Sequence, residues 1–178
     1  GTLRECFVDL TSGLFNNCSI IVTGLANPIA VYVYNSNAYV VSHDSSSSLK
    51  CPIDNLSGVA SNCINAITDS SSNLVGAHGI IPYGNYFYIA NLDGSTLSRC
   101  SINSLTGDLT GCVNPITDGS GTAILSPVYV NVVNNNLFIS NEGDNKIIKC
   151  SLNSSSGNVT NCTNAVTDAS LFVGPRGL

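Results

Sequence analysis

Eight regularly spaced cysteines constrain the fold of this chain more than any other feature of its sequence. They form four Cys-x11-Cys pairs, which are Cys6–Cys18, Cys51–Cys63, Cys100–Cys112 and Cys150–Cys162. Zinc sites built from cysteine usually need CxxC-type spacing, which the sequence lacks. Regular pairs in an even number instead predict four disulfides. Disulfides persist in oxidising compartments, so we expect a secreted, extracellular or cell-surface protein.

The cysteine pairs belong to a repeated unit of about 48 residues. Copies of its central part read AYVVSHDSSSSLKCPIDNLSGVASNCIN at 38–65, YFYIANLDGSTLSRCSINSLTGDLTGCVN at 86–114 and LFISNEGDNKIIKCSLNSSSGNVTNCTN at 137–164. Each unit divides into four short strands separated by Asn, Asp, Ser and Gly, a pattern typical of antiparallel hairpins. The third strand carries the first cysteine and the fourth carries the second. A turn between them would place the two cysteines opposite each other.

This pattern predicts an all-β fold with almost no helix. We expect a β-propeller of four-stranded antiparallel blades, with about four repeats, one of them incomplete, and a hairpin disulfide in each. A β-solenoid fits less well because its coils are parallel. The predicted single domain at 1–178 divides into the third and fourth strands of a split blade at 1–27, blades at 28–74, 75–123 and 124–172, and the start of the next or split blade at 173–178.

The split copy lacks the counterpart of residues 81–94, IPYGNYFYIANLDG, which contain the second strand. An unpaired strand edge is costly and attracts another strand. The chain begins with Gly1 instead of Met, so we expect a processed or excised form. Further blades of a longer chain would cover the edge, or a neighbouring copy would do so and build a filament.

Composition narrows the classes of partner. Charged residues make up 10% of the chain and the formal net charge is −5, which argues against nucleic acid and anionic membranes. No apolar run is long enough to span a bilayer. The expected partners are therefore other copies of the chain, further blades or a glycan, and we expect no cofactor.

Few side chains are candidates for a ligand site. His78 and Arg176 begin first strands, which in propellers lie beside the central channel, and they are the candidate ligand-binding residues. His43 is interpreted as a structural residue at a strand end, with Asn91 and Asn141 as its counterparts. The recurring Asp69, Asp118 and Asp168 are interpreted as turn residues instead of calcium ligands. No catalytic or metal-binding set is predicted.

The chain also contains N-x-S/T sequons, which are candidate N-glycosylation sites in a secreted protein. Those in or beside predicted turns are the better candidates, namely Asn55, Asn153 and Asn158. The remaining two sequons begin at Asn17 and Asn161.

One family resemblance emerges from the repeat. The segment AHGIIPYGNYFYIANLDGSTLSRCSINSLTGDLT at 77–110 resembles the repeat of YVTN and lactonase-like β-propellers, and GPRGL at 174–178 is similar to the start of an NHL-type repeat. The resemblance implies the propeller fold and, by itself, suggests a lactonase-like hydrolase. Repeats of those families lack paired cysteines, so the chain resembles a disulfide-stapled, secreted variant of them.

The leading functional hypothesis is a non-catalytic secreted structural or adhesive module, with a self-assembling filament subunit as one form of it. It rests on the disulfides, the uncharged polar surface, the incomplete blade and the lack of a catalytic motif. One alternative is a propeller that binds a small ligand or glycan in its channel. The other is the lactonase-like hydrolase. The sequence thus favours a protein that is not an enzyme.

Overall fold

The computed structural model describes residues 1–71, 73–116, 122–166 and 173–178, which fold almost entirely into β-strands. Within these ranges the helical structure is one short 3-10 helix at Glu142–Asp144, and no helix there is long and apolar enough to cross a membrane. The strands are β1 (Thr2–Val8), β2 (Phe15–Thr23), β3 (Pro28–Tyr34), β4 (Asn37–Ser42), β5 (Ser47–Pro52), β6 (Ile64–Asn65), β7 (Ala77–Tyr83), β8 (Tyr86–Asn91), β9 (Thr96–Ile102), β10 (Leu109–Val113), β11 (Pro127–Val133), β12 (Asn136–Asn141), β13 (Lys146–Leu152) and β14 (Val159–Asn164).

These strands form three four-stranded antiparallel sheets and one two-stranded sheet, which confirms the prediction of propeller blades with one incomplete. Blade 1 contains β1 and β2, blade 2 contains β3 to β6, blade 3 contains β7 to β10, and blade 4 contains β11 to β14. In the complete blades each strand pairs with the next one along the chain. Since Cys6 lies in β1 as Cys51 lies in β5, β1 and β2 correspond to third and fourth strands.

The third and fourth strands of every blade are joined by the same kind of turn. The side chain of an Asp or Asn at its start accepts hydrogen bonds from two backbone N–H groups. A glycine four residues later has φ between 68° and 74°, a conformation that favours glycine. The residue pairs are Asp9 and Gly13, Asp54 and Gly58, Asn103 and Gly107, and Asn153 and Gly157.

A β-bulge after this turn brings the two cysteines together. In blade 3, Thr110 pairs with Ser101 and Val113 pairs with Arg99, so Gly111 and Cys112 together oppose the first cysteine. The residue before the second cysteine has φ between 48° and 58° in all four blades, and it is always Asn or Gly. The hairpin disulfides are thereby confirmed, with Cα atoms 4.0 to 4.1 Å apart, in Cys6–Cys18, Cys51–Cys63, Cys100–Cys112 and Cys150–Cys162.

Blade 2 departs from this pattern because its fourth strand, β6, begins only after Cys63. The prediction that the fourth strand carries the second cysteine is therefore wrong in this blade. Blade 2 has Pro52 where blade 3 has Ser101, and proline offers no N–H to a partner strand. Only the reverse bond remains, from the N–H of Ser61 to the carbonyl of Pro52 at 3.0 Å.

The apolar core lies between consecutive blades. One cluster joins blades 2 and 3 around Tyr39, Phe87 and Leu109, and the next joins blades 3 and 4 around Tyr88 and Leu137. Both tyrosines come from second strands, where alternate side chains face the following blade. Stacking of sheets through alternate side chains is what positions the blade edges relative to one another.

Hydrogen bonds accompany this packing at two interfaces. The hydroxyl of Tyr39 donates to the carbonyl of Gly107 at 2.7 Å, and that of Tyr88 donates to the carbonyl of Gly157 at 2.8 Å. Both acceptors lie in the hairpin turn of the following blade. The same contact therefore links blade 2 to blade 3 and blade 3 to blade 4.

Candidate functional site

The turns between second and third strands lie at the same edge of the blades as the starts of the first strands, an edge that we call the rim. One backbone hydrogen bond recurs there in each complete blade: His43 N–H to Asn27 C=O, Leu92 N–H to Gly76 C=O, and Glu142 N–H to Ser126 C=O. Six of the ionisable side chains at the rim form the rim cluster, namely His43, Asp44, His78, Asp93, Glu142 and Arg176. Asp144 and Lys146 also lie at the rim, where they pair with each other at 2.6 Å.

Strand pairing corrects the predicted counterparts of His43. Ala38, Phe87 and Leu137 each pair with the first cysteine of their blade. His43 lies five residues after Ala38, and the residues five positions after Phe87 and Leu137 are Leu92 and Glu142. These two residues are therefore equivalent to His43. The predicted counterparts Asn91 and Asn141 are equivalent to Ser42 instead, and all three are buried. The predicted alignment of His43 with Asn91 and Asn141 is therefore displaced by one position.

His43 is held between two carboxylates from different blades. Its Nδ1 lies 2.8 Å from Oδ1 of Asp44, and its Nε2 lies 3.3 Å from Oδ2 of Asp93 in the next turn. The hydrogen bond to Asp44 and the negative charge of Asp93 raise the pKa of His43 above its ordinary value. This imidazole therefore holds its proton more tightly than a free imidazole does.

His78 has the opposite environment, although its ring centroid is only 6.1 Å from that of His43. It lies half-buried in β7, beside the irregular pairing between Ala77 and Ile80. Burial lowers the pKa of His78, and the nearby charges of His43 and Arg176 lower it further. His78 therefore loses its proton more readily than a free imidazole does, and its neutral ring has one nitrogen able to accept a proton.

The second predicted ligand residue, Arg176, belongs to the same cluster. Its Nη2 lies 2.6 Å from Oε1 of Glu142 in the turn of blade 4. Gly174 N–H donates to the side chain of Asn145, just as Gly76 N–H donates to that of Ser46. Arg176 follows Gly174 as His78 follows Gly76, so it has the position that His78 has in blade 3.

The rim cluster thus combines two imidazoles whose pKa values are shifted in opposite directions with an exposed guanidinium. Three carboxylates surround them, two from blade turns beside His43 and one beside Arg176. Such a set can give and accept protons and can bind a polar ligand. Among the residues that the structure describes, no three His, Cys, Asp or Glu side chains are grouped so that they could hold a metal ion.

Asp69 has a structural role, and it is the one recurring aspartate among the described residues. Oδ1 of Asp69 accepts from the N–H of Ser71 at 3.0 Å, and Oδ2 accepts from the N–H of Gly111 in the bulge of blade 3 at 2.8 Å. Asp69 therefore caps a turn and ties it to the next blade, as the turn interpretation predicts. Asp118 and Asp168 lie outside the described residues.

The sequons lie on the surface to different degrees. Asn55 and Asn153 are exposed in hairpin turns, and Asn17 and Asn161 are exposed in bulges. Asn158 is partly exposed, but its side-chain oxygen is engaged, because it accepts a hydrogen bond from Nη1 of Arg99 at 2.7 Å. Glycosylation at Asn158 would break that contact between blades 3 and 4.

Comparison with known proteins yields similarities of structure only. No protein-family model and no curated protein sequence matches the chain. A candidate 6-phosphogluconolactonase from Bacteroides uniformis is similar over 96% of this chain and 52% of its own, with a TM-score of 0.68 and 12% identity. One from Bacteroides fragilis is similar over 95% of this chain and 51% of its own, with a TM-score of 0.68 and 17% identity.

A periplasmic gluconolactonase from Pseudomonas aeruginosa is also similar, over 82% of this chain and 41% of its own, with a TM-score of 0.61 and 13% identity. The chain thus spans about half the length of the solved structures that it resembles. At these identities the similarity shows the fold. The neighbours are lactonase-like propeller proteins, and they add no support for a filament or adhesive role.

Proposed function

We propose that the chain contributes the rim cluster to a lactonase-like hydrolase acting on a small polar lactone. One observation carries the proposal, namely two adjacent imidazoles whose pKa values are shifted in opposite directions. Environments that separate the pKa values of neighbouring groups assign them acid and base roles. The lactonase names of the structural neighbours support a lactone as the proposed substrate class.

Hydrolysis of a lactone needs a base for the attacking water and an acid for the leaving ring oxygen. Neutral His78 removes a proton from the water as its oxygen bonds to the carbonyl carbon. His43 then gives its Nε2 proton to the ring oxygen, which replaces the 3.3 Å contact of Nε2 with Asp93, as the bond between that oxygen and the carbonyl carbon breaks. The product is the ring-opened hydroxy acid. His78 has then gained one proton and His43 has lost one, and exchange with solvent water restores both imidazoles.

The other members of the rim cluster orient these two groups and the substrate. Asp44 and Asp93 hold both nitrogens of the His43 ring and stabilise its charge. The guanidinium of Arg176 is a donor for the developing oxyanion, and Glu142 orients it. Because carboxylates outnumber fixed cations at the rim, an uncharged lactone is preferred to a phosphorylated one.

The proposal predicts a bell-shaped dependence of kcat/KM on pH. Protonation of His78 removes the base, and since its pKa is lowered, this loss lies below about pH 6.5. Deprotonation of His43 removes the acid, and since its pKa is raised, this loss lies above about pH 6.5. Activity is therefore expected to be highest in the interval between the two pKa values.

The direct test is a pH-stat assay with glucono-δ-lactone, with its 6-phosphate as the comparison substrate. We expect His78→Gln and His43→Gln each to lower kcat/KM by about 100-fold or more. Asp54→Asn, a change in a hairpin turn, serves as the matched control and should leave the rate unchanged. Equal rates for the wild type and both histidine variants would refute the proposal. Saturable binding of the lactone without turnover would favour the ligand-binding alternative.

A further inference from the structure

A cavity of about 440 Å³ lies beside the rim, between blade 3 and the segment that leads from blade 2 into β7. Residues 73–75 of that segment form one wall, and residues 94, 96–98 and 114 of blade 3 form the other. Small-molecule sites in proteins usually have volumes of about 300 to 1,000 Å³, so the cavity is large enough to hold a ligand. None of these lining residues is charged.

Ser98 opens the cavity, because the other complete blades have a larger, apolar side chain at its position. Strand pairing makes Leu49 and Ile148 the equivalents of Ser98 in blades 2 and 4. Ile148 is fully buried in the apolar cluster between blades 3 and 4. The side chain of Ile148 therefore fills, in blade 4, space that remains open beside Ser98 in blade 3.

A buried hydrogen-bond acceptor marks the same place. In blade 4, Oδ1 of Asn141 accepts from the N–H of Leu125 at 2.7 Å, which closes the entering segment onto the blade. In blade 3, Oδ1 of the equivalent Asn91 is buried and has no hydrogen-bond partner among the described residues, which is uncommon in folded proteins. Val75 has the position of Leu125, since the carbonyl of the residue after each accepts from a rim turn. Val75 lines the cavity instead of closing over Asn91.

Three side chains offer hydrogen bonds to a molecule in the cavity. The hydroxyl of Thr96 accepts from Nδ2 of Asn91 at 3.1 Å, which leaves its hydrogen to be donated. Asn73 uses its Nδ2 for a carbonyl of β10, and Asn114 uses its Oδ1 for a backbone N–H two residues later. Oδ1 of Asn73 and Nδ2 of Asn114 thus remain as an acceptor and a donor. This mixture suits hydroxyl groups, because each hydroxyl can both donate and accept.

Apolar side chains complete the lining. Leu74 and Leu97 are buried at 5% and 1% exposure, and Val75 is 50% exposed. A mostly fixed apolar wall with a few convergent polar groups is the usual composition of a small-molecule site. Sugars and polyols present both kinds of surface, since their C–H groups contact apolar side chains while their hydroxyls form hydrogen bonds.

We propose that this cavity binds a neutral polyhydroxylated molecule about the size of one sugar ring, taken either as a free sugar or polyol or as the end residue of a glycan. An anionic ligand fits poorly, because none of the described lining residues carries a positive charge to offset the desolvation of a carboxylate or phosphate. The site is separate from the rim cluster, and the proposal does not rest on lactone hydrolysis.

Chemical-shift changes in ¹H–¹⁵N spectra of the full chain test this. The probes are glucose, galactose, mannose, myo-inositol and sorbitol, with glucuronate as the anionic comparison. We expect at least one neutral probe to shift the amide signals of Gly94 and Leu97 saturably, with a Kd on the order of 1 mM. Glucuronate should bind about fivefold more weakly or not at all. For a hexose ligand, a disaccharide that binds as tightly as the free sugar would assign the site to a glycan end.

Variants locate the binding in the cavity. Ser98→Ile introduces the side chain that blade 4 has at this position, and it should abolish saturable binding by filling the cavity. Thr96→Val removes one donor and should weaken binding about fivefold. Ser47→Ala, at the position in blade 2 that is equivalent to Thr96, is the matched control and should leave the affinity unchanged. Thermal unfolding of each variant shows that it is folded.

Spectra that none of the neutral probes changes up to about 50 mM would overturn the proposal. Equal affinities of the wild type and a folded Ser98→Ile variant would also overturn it, because the sugar would then bind elsewhere. Tighter binding of glucuronate than of every neutral probe would contradict the ligand class. Sugar binding that persists in His78→Gln would separate this site from the lactonase proposal, whichever way the hydrolysis assay turns out.

Discussion

Tyr39 and Tyr88 show how single side chains join neighbouring blades. Burial raises the pKa of each phenol to about 12, so both hydroxyls remain donors throughout the physiological range. Each ring fills space against the next blade while its hydroxyl bonds to a turn carbonyl. Blade 4 has Phe138 at the equivalent position, where the ring is only half-buried.

We predict that Tyr88→Phe lowers the free energy of unfolding by about 1–2 kcal/mol, because the buried carbonyl of Gly157 loses its donor. Urea denaturation followed by circular dichroism measures the change. Tyr32→Phe is the control, since Tyr32 is 37% exposed and should change stability by less than about 0.5 kcal/mol. Equal unfolding midpoints for the two variants would mean that the bond contributes nothing.

At the scale of the element, the hairpin between third and fourth strands is the repeated unit of construction. Its Asx turn, left-handed glycine and bulge recur in all four blades. The residue before the second cysteine must adopt a positive φ, and only Asn and Gly occur there. Such residues reach the left-handed region at low cost, whereas a β-branched residue does not.

The bulge can be tested at Gly111, where an added Cβ would have nothing within 4 Å. We expect Gly111→Val to cost about 1–2 kcal/mol through backbone strain alone. Gly111→Asn should be nearly neutral, because Asn17, Asn62 and Asn161 adopt the same conformation in the other blades. Thermal unfolding of both variants measures the difference, and a Val variant as stable as the Asn variant would contradict this account.

Across the whole molecule, the four disulfides each lie within one blade and join residues 12 apart in sequence. No bridge links two blades, so blade-to-blade contacts depend on the apolar clusters and on bonds such as that of Tyr39. The four bridges indicate an oxidising, extracellular type of environment. Secretion, adhesion and glycosylation remain predictions.

Reduction should therefore weaken every blade at once. Closing a loop of this length contributes roughly 3 kcal/mol per bridge in the chain-entropy description. We expect thiol titration of the denatured protein to find no free cysteine before reduction and eight after it. The melting temperature should fall steeply in the reduced sample. Free thiols in the untreated protein would contradict the four-bridge arrangement.

Most of the architecture was predictable because it depends on contacts that are short in sequence. The cysteine spacing, the turn residues and the β-branched strands predicted antiparallel blades with hairpin disulfides, and the structure confirms them. One local exception, the short β6, also has a cause that is visible in the sequence. Pro52 lacks the N–H that would donate to the fourth strand. Only the structure shows the result, which is that Ser61 and Pro52 are joined by a single backbone hydrogen bond.

The rim cluster was predicted only in part, because it joins residues from different blades. The sequence predicts His78 and Arg176 as ligand residues at the starts of first strands; His78 does lie in β7, whereas Arg176 lies in no strand, and their ligand role stays a prediction. His43 was missed, since its alignment was displaced by one residue and only the pairing of Ala38 with Cys51 corrects the count. The His-Asp pair at 43 and 44, at a turn where blade 3 has Leu92 and Asp93, was the available signal.

The sequence by itself determined the repeat, the disulfide pairing and the unequal number of strands, because each depends on local spacing along the chain. Only the tertiary structure decided which side chains meet across blades and how His43 and His78 acquire opposite pKa shifts. These properties depend on distances, burial and charge between residues far apart in sequence. The eight cysteines build each blade, and packing between blades creates the sites.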